Sequence, residues 1–207
     1  MNFLRQGKPD IATLLLAHGA GAPMDSPFMN DIVERLSSVG FEVVRFEFPY
    51  MTERRVSGKK RPPDRAPILL EAFENTISAL NTPKKLIIGG KSMGGRMASM
   101  IAANGNAHID GVLCLGYPFH PPGRPEKLRT DHLPSITLPT LIVQGERDPF
   151  GGNALVKTLS LPKNISVSIA PDGNHDLAPR KRSGRSHTEN LQLATETIVS
   201  FFGNGKI

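Results

Sequence analysis

Tryptophan is absent from this 207-residue chain, tyrosine occurs twice and cysteine once. The lone Cys114 excludes an internal disulfide framework and any cysteine-rich zinc site. Long hydrophobic runs are lacking too: the apolar stretch at 11–17 falls far short of the roughly 18 residues a membrane span needs. Residues 1–10 hold no apolar segment of the kind a signal peptide carries, so a cytoplasmic protein that does not engage a membrane is expected. Aromatic residues make up only 6%, and no stacking or recognition-helix pattern accompanies the basic residues, which argues against a nucleic-acid partner. What is present in excess is positive charge, +6 overall. A chain of this length can bury about 70% of its unfolded surface and needs no disulfide to hold a core. The expectation is one domain over 1–207.

Short apolar runs bounded by turn residues predict strands at 11–17, 42–48, 85–89, 111–115, 140–144 and 165–170. They are nearly continuous in hydrophobicity, as strands covered on both faces are. Helical patterns lie between them, at 27–39, 67–80, 93–103, 153–159 and 188–202. The first carries Phe28, Ile32, Val33 and Leu36 on one stripe, begins with Pro27 behind Asp25 or Ser26, and stops at Gly40. The alternation predicts an α/β fold: a compact, mostly parallel sheet of about six strands with about five helices on its two faces. Two polar, proline-rich stretches, 49–66 and 117–139, exceed ordinary α/β loop lengths. Each follows a strand, so each belongs to the sheet edge where ligands bind.

One motif on that edge carries chemistry. Gly90-Lys91-Ser92-Met93-Gly94 follows an apolar strand and opens a helix. A G-x-S-x-G sequence between strand and helix sets its serine in a strained tight turn that exposes the hydroxyl, and the glycines relieve crowding around it. The bland alternative is a glycine-rich connection. A phosphate-binding P-loop is rejected, because that motif needs a glycine five positions before Gly90 and Lys85 stands there.

A serine hydroxyl needs a base in contact, and the base needs an acid to orient it. Of the six histidines, His175 lies between the last predicted strand and the last helix. His108 falls on the opposite sheet edge, and His187 starts the final helix. His120 and His132 sit in the long 117–139 loop as possible substrate contacts. Asp148 follows the strand at 140–144 directly, with Glu146 as the nearest alternative acid; Asp172 and Asp176 are too close to His175 in sequence to be favoured. The order Ser92, Asp148, His175 at the ends of three successive strand regions is far more specific than the pentapeptide alone. No metal and no organic cofactor is implied.

With these residues in view, the sequence resembles the α/β-hydrolase superfamily over essentially its whole length. It is most similar to the small dienelactone-hydrolase-like members, in particular the group of testis-expressed 30 and KANSL3-type hydrolase domains. The segments that carry the resemblance are 18–21 (His-Gly-Ala-Gly), 90–96, 116–123, 144–148 and 173–176. The resemblance implies a serine hydrolase, an esterase or thioesterase on small acyl substrates. Ser92 is then the nucleophile, Asp148 the acid and His175 the base, with oxyanion donors from the N–H groups of Met93 and Ala20. Gly21, Tyr117, His120, Arg54 and Arg55 are expected on the substrate side. Dienelactone hydrolases proper use a cysteine where Ser92 stands, so their substrate does not carry over. The resemblance also implies that the first two strands of larger members and a lid domain are missing. A catalytically silent binding or scaffold protein on the same fold is the alternative, and monomer or homodimer are both compatible.

The surplus charge is concentrated in two stretches. Residues 53–65 and 180–185 each carry a net +4, so the remainder is slightly negative. Both are expected beside the proposed site, where they would favour an anionic ester; two solvated basic loops are the plain alternative.

Overall fold

The computed structural model describes residues 2–80, 85–105 and 108–203. Seven strands form one sheet: β1 (Leu4–Gln6), β2 (Ala12–Ala17), β3 (Phe41–Phe46), β4 (Leu86–Lys91), β5 (Gly111–Leu115), β6 (Thr140–Gly145) and β7 (Ile165–Ala170). Their order is β1-β3-β2-β4-β5-β6-β7, with β1 antiparallel to β3 and every other neighbour parallel. Together with its helices this is the α/β architecture with a mostly parallel sheet that the sequence predicts.

The helices are α1 (Pro27–Ser38), α2 (Pro49–Ser57), α3 (Ala66–Ala79), α4 (Met93–Ala103), α5 (Asn153–Val156) and α6 (His187–Gly203). Along β2, Leu15 and Ala17 face a core shared with α3 and α4, and Leu14 and Leu16 face one shared with α1 and α6. Every β2 residue is buried, which is why its sequence reads as a continuous apolar run. Each buried Leu, Ile or Phe contributes roughly 1.5–3 kcal/mol relative to exposure. Among the described residues no helix is long and apolar enough to cross a membrane.

The structure corrects the expected inventory in three places. The first is Leu4–Gln6, an antiparallel strand ahead of the first predicted one, which makes seven strands where about six were expected. All three of its residues are exposed, and it is held by its ladder to β3 and by Arg5 against Glu42, leaving no apolar pattern to read. The second is α2, inside the stretch expected to be loop. It buries only Tyr50 and Met51 and ends at Gly58, whose φ of 69° gives the left-handed turn that stops it. The helix expected over 153–159 is one turn, Asn153–Val156. The last helix starts behind Ser186, which exchanges bonds with Glu189 in a capping box.

From β2 the chain crosses to β3 on one side, then returns to β4 on the other. The carboxyl ends of β2 and β4 therefore flank the topological switch point, the usual ligand crevice of an open parallel sheet. The loop after β2 carries His18–Gly21, and the turn after β4 carries Ser92.

Candidate active site

Ser92 has φ 52° and ψ −114°, a conformation sparsely populated by residues with a side chain. Such a backbone costs on the order of 1–3 kcal/mol and persists only where its surroundings enforce it. Here the Ser92 amide donates to the Leu115 carbonyl at 2.9 Å, and its own carbonyl accepts from the Arg96 amide at 3.0 Å. A Cβ at Gly90 would overlap the Ala17 carbonyl, and one at Gly94 would meet the carbonyls of Ala17 and His18. The glycines of the motif let β4 and α4 press against β2 while the serine turns outward. Cys114 lies beneath this turn, fully buried with its thiol pushed up to about 12 by desolvation, so it is inert.

Asp148 and His175 meet across the ends of β6 and β7. The Nδ1 of His175 lies 2.8 Å from Oδ2 of Asp148, whose side chain is wholly buried. Oδ2 also accepts from Nε2 of Gln144 at 3.0 Å, and Oδ1 from the Phe150 amide at 2.8 Å. With Asp148 ionised, Nδ1 carries the proton and Nε2 is the free basic nitrogen. The Phe150 ring meets the imidazole edge-on at 4.5 Å. Among the described residues the Ser92 hydroxyl makes no hydrogen bond, so the serine–histidine contact is open in this conformation; catalytic contacts often tighten only with substrate present.

The alternatives for acid and base are engaged elsewhere. Glu146 accepts from the Asp172 amide, Asp172 is ion-paired with Arg147 and Arg180, and Asp176 pairs with Lys91. His187 bonds the Asp176 carbonyl at 2.8 Å, and His108 precedes β5 on the far edge.

The loop after β2 is braced from behind. His18 is fully buried; its Nδ1 donates to the Gly19 carbonyl at 2.7 Å, and its Nε2 accepts from the Phe48 amide at 3.2 Å. Burial lowers its pKa and keeps the ring neutral in this bridging role. Tyr50 donates to the Ala20 carbonyl at 2.9 Å, and Arg54 to the Gly21 carbonyl at 3.1 Å. Among the described residues the amides of Ala20 and Met93 have no acceptor, as oxyanion donors require.

The side chains expected on the substrate side divide. Gly21 is exposed with open space around it. His120 is nearly buried, its Nδ1 2.9 Å from the Pro121 carbonyl. Tyr117 is corrected: its side chain is fully buried and its hydroxyl donates to the Arg129 carbonyl at 2.8 Å, so it anchors the loop rather than facing a ligand. Arg54 braces the loop through Gly21. Arg55 is corrected too, because Glu47 and Asp25 hold it in ion pairs. Arg180 is likewise paired, with Asp172, and Arg61 with Glu53 and Asp64, which are already counted in the net charge of its stretch.

Two residues that position the site escaped the sequence reading. Lys91, almost buried, donates from Nζ to the His175 carbonyl at 2.6 Å and pairs with Asp176 at 3.1 Å. Gln144 accepts from the Tyr117 amide and donates to Asp148, Tyr117 and Gly151, tying the acid to two loops. The only signal for either is a polar residue at the carboxyl end of a buried strand. Among the described residues no cluster of three His, Cys, Asp or Glu side chains is arranged for a metal ion.

The model of the alpha/beta hydrolase domain family matches residues 10–203. The chain belongs to this family. Solved structures share the fold at low identity. A dienelactone hydrolase from Anabaena variabilis is 22% identical, with a TM-score of 0.72 over 97% of this chain and 92% of its own. Est1E from Butyrivibrio proteoclasticus is 16% identical, with a TM-score of 0.70 over 96% and 91%. A monoacylglycerol lipase from Paleococcus ferrophilus is 15% identical, with a TM-score of 0.70 over 97% and 98%.

Proposed function

We propose that this hydrolase-family chain, acting as one domain over 1–207, is a serine esterase or thioesterase on small acyl substrates. The carrying observation is the buried Asp148 bonded to Nδ1 of His175, across the sheet edge from a strained Ser92. Nε2 of His175 takes the proton from the Ser92 hydroxyl as Oγ attacks the acyl carbon. The oxyanion so formed is held by the amides of Met93 and Ala20. As the intermediate collapses, the alcohol or thiol leaves with the proton from Nε2, and the acyl group stays on Oγ. Water, deprotonated by the same nitrogen, then releases the acid and restores Ser92. No cofactor enters these steps. Family membership supports the hydrolase assignment, and the motifs at 18–21, 90–96 and 116–123 favour the testis-expressed 30 and KANSL3-type group within it.

The Ser92 hydroxyl without a hydrogen bond is the observation that favours the second reading, a silent binding protein. Labelling by a fluorophosphonate probe separates the two. The enzyme reading expects labelling of the wild type, none of Ser92→Ala, and at least about a hundredfold slower labelling of His175→Ala. A folded wild type that resists the probe would remove the enzyme reading.

A further inference from the structure

Beside the nucleophile turn lies a group of charged residues that the proposed steps do not use. The carbonyls of Arg96 and Arg129 are joined by a chain of side-chain hydrogen bonds. Tyr117 donates to the Arg129 carbonyl at 2.8 Å, and its hydroxyl lies 3.5 Å from Nε2 of His132. That same nitrogen is 2.8 Å from Oγ of Ser99, which donates to the Arg96 carbonyl at 2.7 Å. Because both hydroxyls spend their protons on carbonyls, Nε2 of His132 is the donor to Ser99, and burial keeps the ring neutral.

The backbone of both arginines is therefore pinned, yet neither guanidinium has a hydrogen bond or a carboxylate partner among the described residues. Arg55, Arg61 and Arg180, by contrast, all have carboxylate partners. Arg96 and Arg129 are both half-buried, and Nε of Arg96 is buried with nothing to bond. The two charges act on each other: burial first, then the Arg96 charge, lowers the Arg129 pKa, and the same two causes bring His132 to about 4. Asp131, exposed beside His132, makes no ion pair with either arginine. Half-buried, mutually repelling guanidiniums are costly unless an anion joins them. Their place fits a substrate: Arg96 is one helical turn from Ser92, its amide donating to the Ser92 carbonyl at 3.0 Å, and the Arg129 carbonyl is tethered through Tyr117 to the end of β5.

We propose that Arg96 and Arg129 form an oxyanion-binding subsite of the hydrolase, taking a carboxylate or phosphate group on the substrate at a short distance from its scissile ester. Two forked guanidiniums suit the paired oxygens of such a group. The inference rests on the hydrolase reading for its meaning, but not for its detection. It replaces Arg54, Arg55 and Arg180 as the source of any preference for acidic esters.

Two measurements test it. The first compares kcat/KM for the p-nitrophenyl monoester of glutarate with that for p-nitrophenyl butyrate. The wild type is expected to prefer the anionic ester, and Arg96→Met and Arg129→Met each to lower the ratio about tenfold. Arg96→Lys, which keeps the charge without the fork, should fall between. Thermal unfolding of each variant identifies any that fails to fold. The second measurement is calorimetric titration of the wild type and the variants with glutarate and, separately, inorganic phosphate; the tighter ligand names the group. Saturable binding that the substitutions abolish supports the subsite even without turnover, in which case the hydrolase reading alone fails. An unchanged ratio in folded variants, or no binding of either anion by the wild type, overturns the proposal.

Discussion

Replacing Lys91 by methionine tests how the proposed base is held. The ammonium donates to the His175 carbonyl at 2.6 Å and pairs with Asp176 at 3.1 Å, with its side chain 9% exposed against 59% for Asp176. A hydrogen bond from a charged donor contributes about 1.5–3 kcal/mol, and pairing with an exposed carboxylate about 1 kcal/mol or less. Opposing both is the desolvation of the ammonium, the largest cause of its lowered pKa. Methionine keeps the apolar stem and removes that cost. The net loss of fold stability is therefore about 1 kcal/mol, a fall in Tm of about 2–4 °C for a chain of this size. The effect on turnover is larger, because the peptide that carries the imidazole loses its tether, and a displacement of about 1 Å can cost on the order of a hundredfold. The expected result is kcat lower by about 10- to 100-fold with KM within about twofold of wild type. Steady-state hydrolysis of p-nitrophenyl acetate gives kcat and KM, and thermal unfolding gives Tm. A folded Lys91→Met protein with wild-type kcat would refute the positioning role.

Backbone strain at Ser92 predicts that Ser92→Gly has a higher Tm than Ser92→Ala, by about 2–4 °C for each 1 kcal/mol released, because alanine keeps the Cβ at φ 52°. Equal midpoints would mean that the turn stores no strain. Gly145→Ala sets a Cβ against the Asn174 carbonyl, just before His175, so thermal unfolding should show a loss of about 1–3 kcal/mol and turnover should fall with it. For His132, the folded pKa of about 4 lies below the ordinary 6.5. Its contribution to stability is thus complete above pH 6.5 and is lost as the pH falls towards 4. The Tm of the wild type should drop more steeply across that window than the Tm of His132→Gln; parallel curves would assign the acid sensitivity elsewhere.

The parts of the fold legible in the sequence are those whose environment is uniform. β2, β4, β5 and β6 are buried on both faces, so their apolar runs stand out, and Pro27 and Gly40 punctuate α1 by local backbone chemistry alone. The placement of Ser92, Asp148 and His175 at one sheet edge is legible because each follows a strand in a mostly parallel sheet, which sends the strand ends to that edge. Leu4–Gln6 left no such trace, since a short exposed strand is specified by its partner's register rather than its own pattern. The polar interior was also hidden: Gln144 and Lys91 look like ordinary polar residues at strand ends until the loops they hold are in place. Charge misled most. Arg55 and Arg180 stand in conspicuous basic runs but are paired with carboxylates that lie outside those runs, whereas Arg96 and Arg129 lie apart in the sequence and are brought together by the loop folding back onto α4.

The central claim is that Ser92 carries the acyl group between two chemical steps. Rapid mixing of the protein with p-nitrophenyl acetate, acid quenching and peptide mass spectrometry would read that intermediate directly. A burst of p-nitrophenol close to one equivalent per chain is expected, with the acetyl group on Ser92 and no burst from Ser92→Ala. An acetyl group found on another residue, or an undiminished burst from Ser92→Ala, would contradict it.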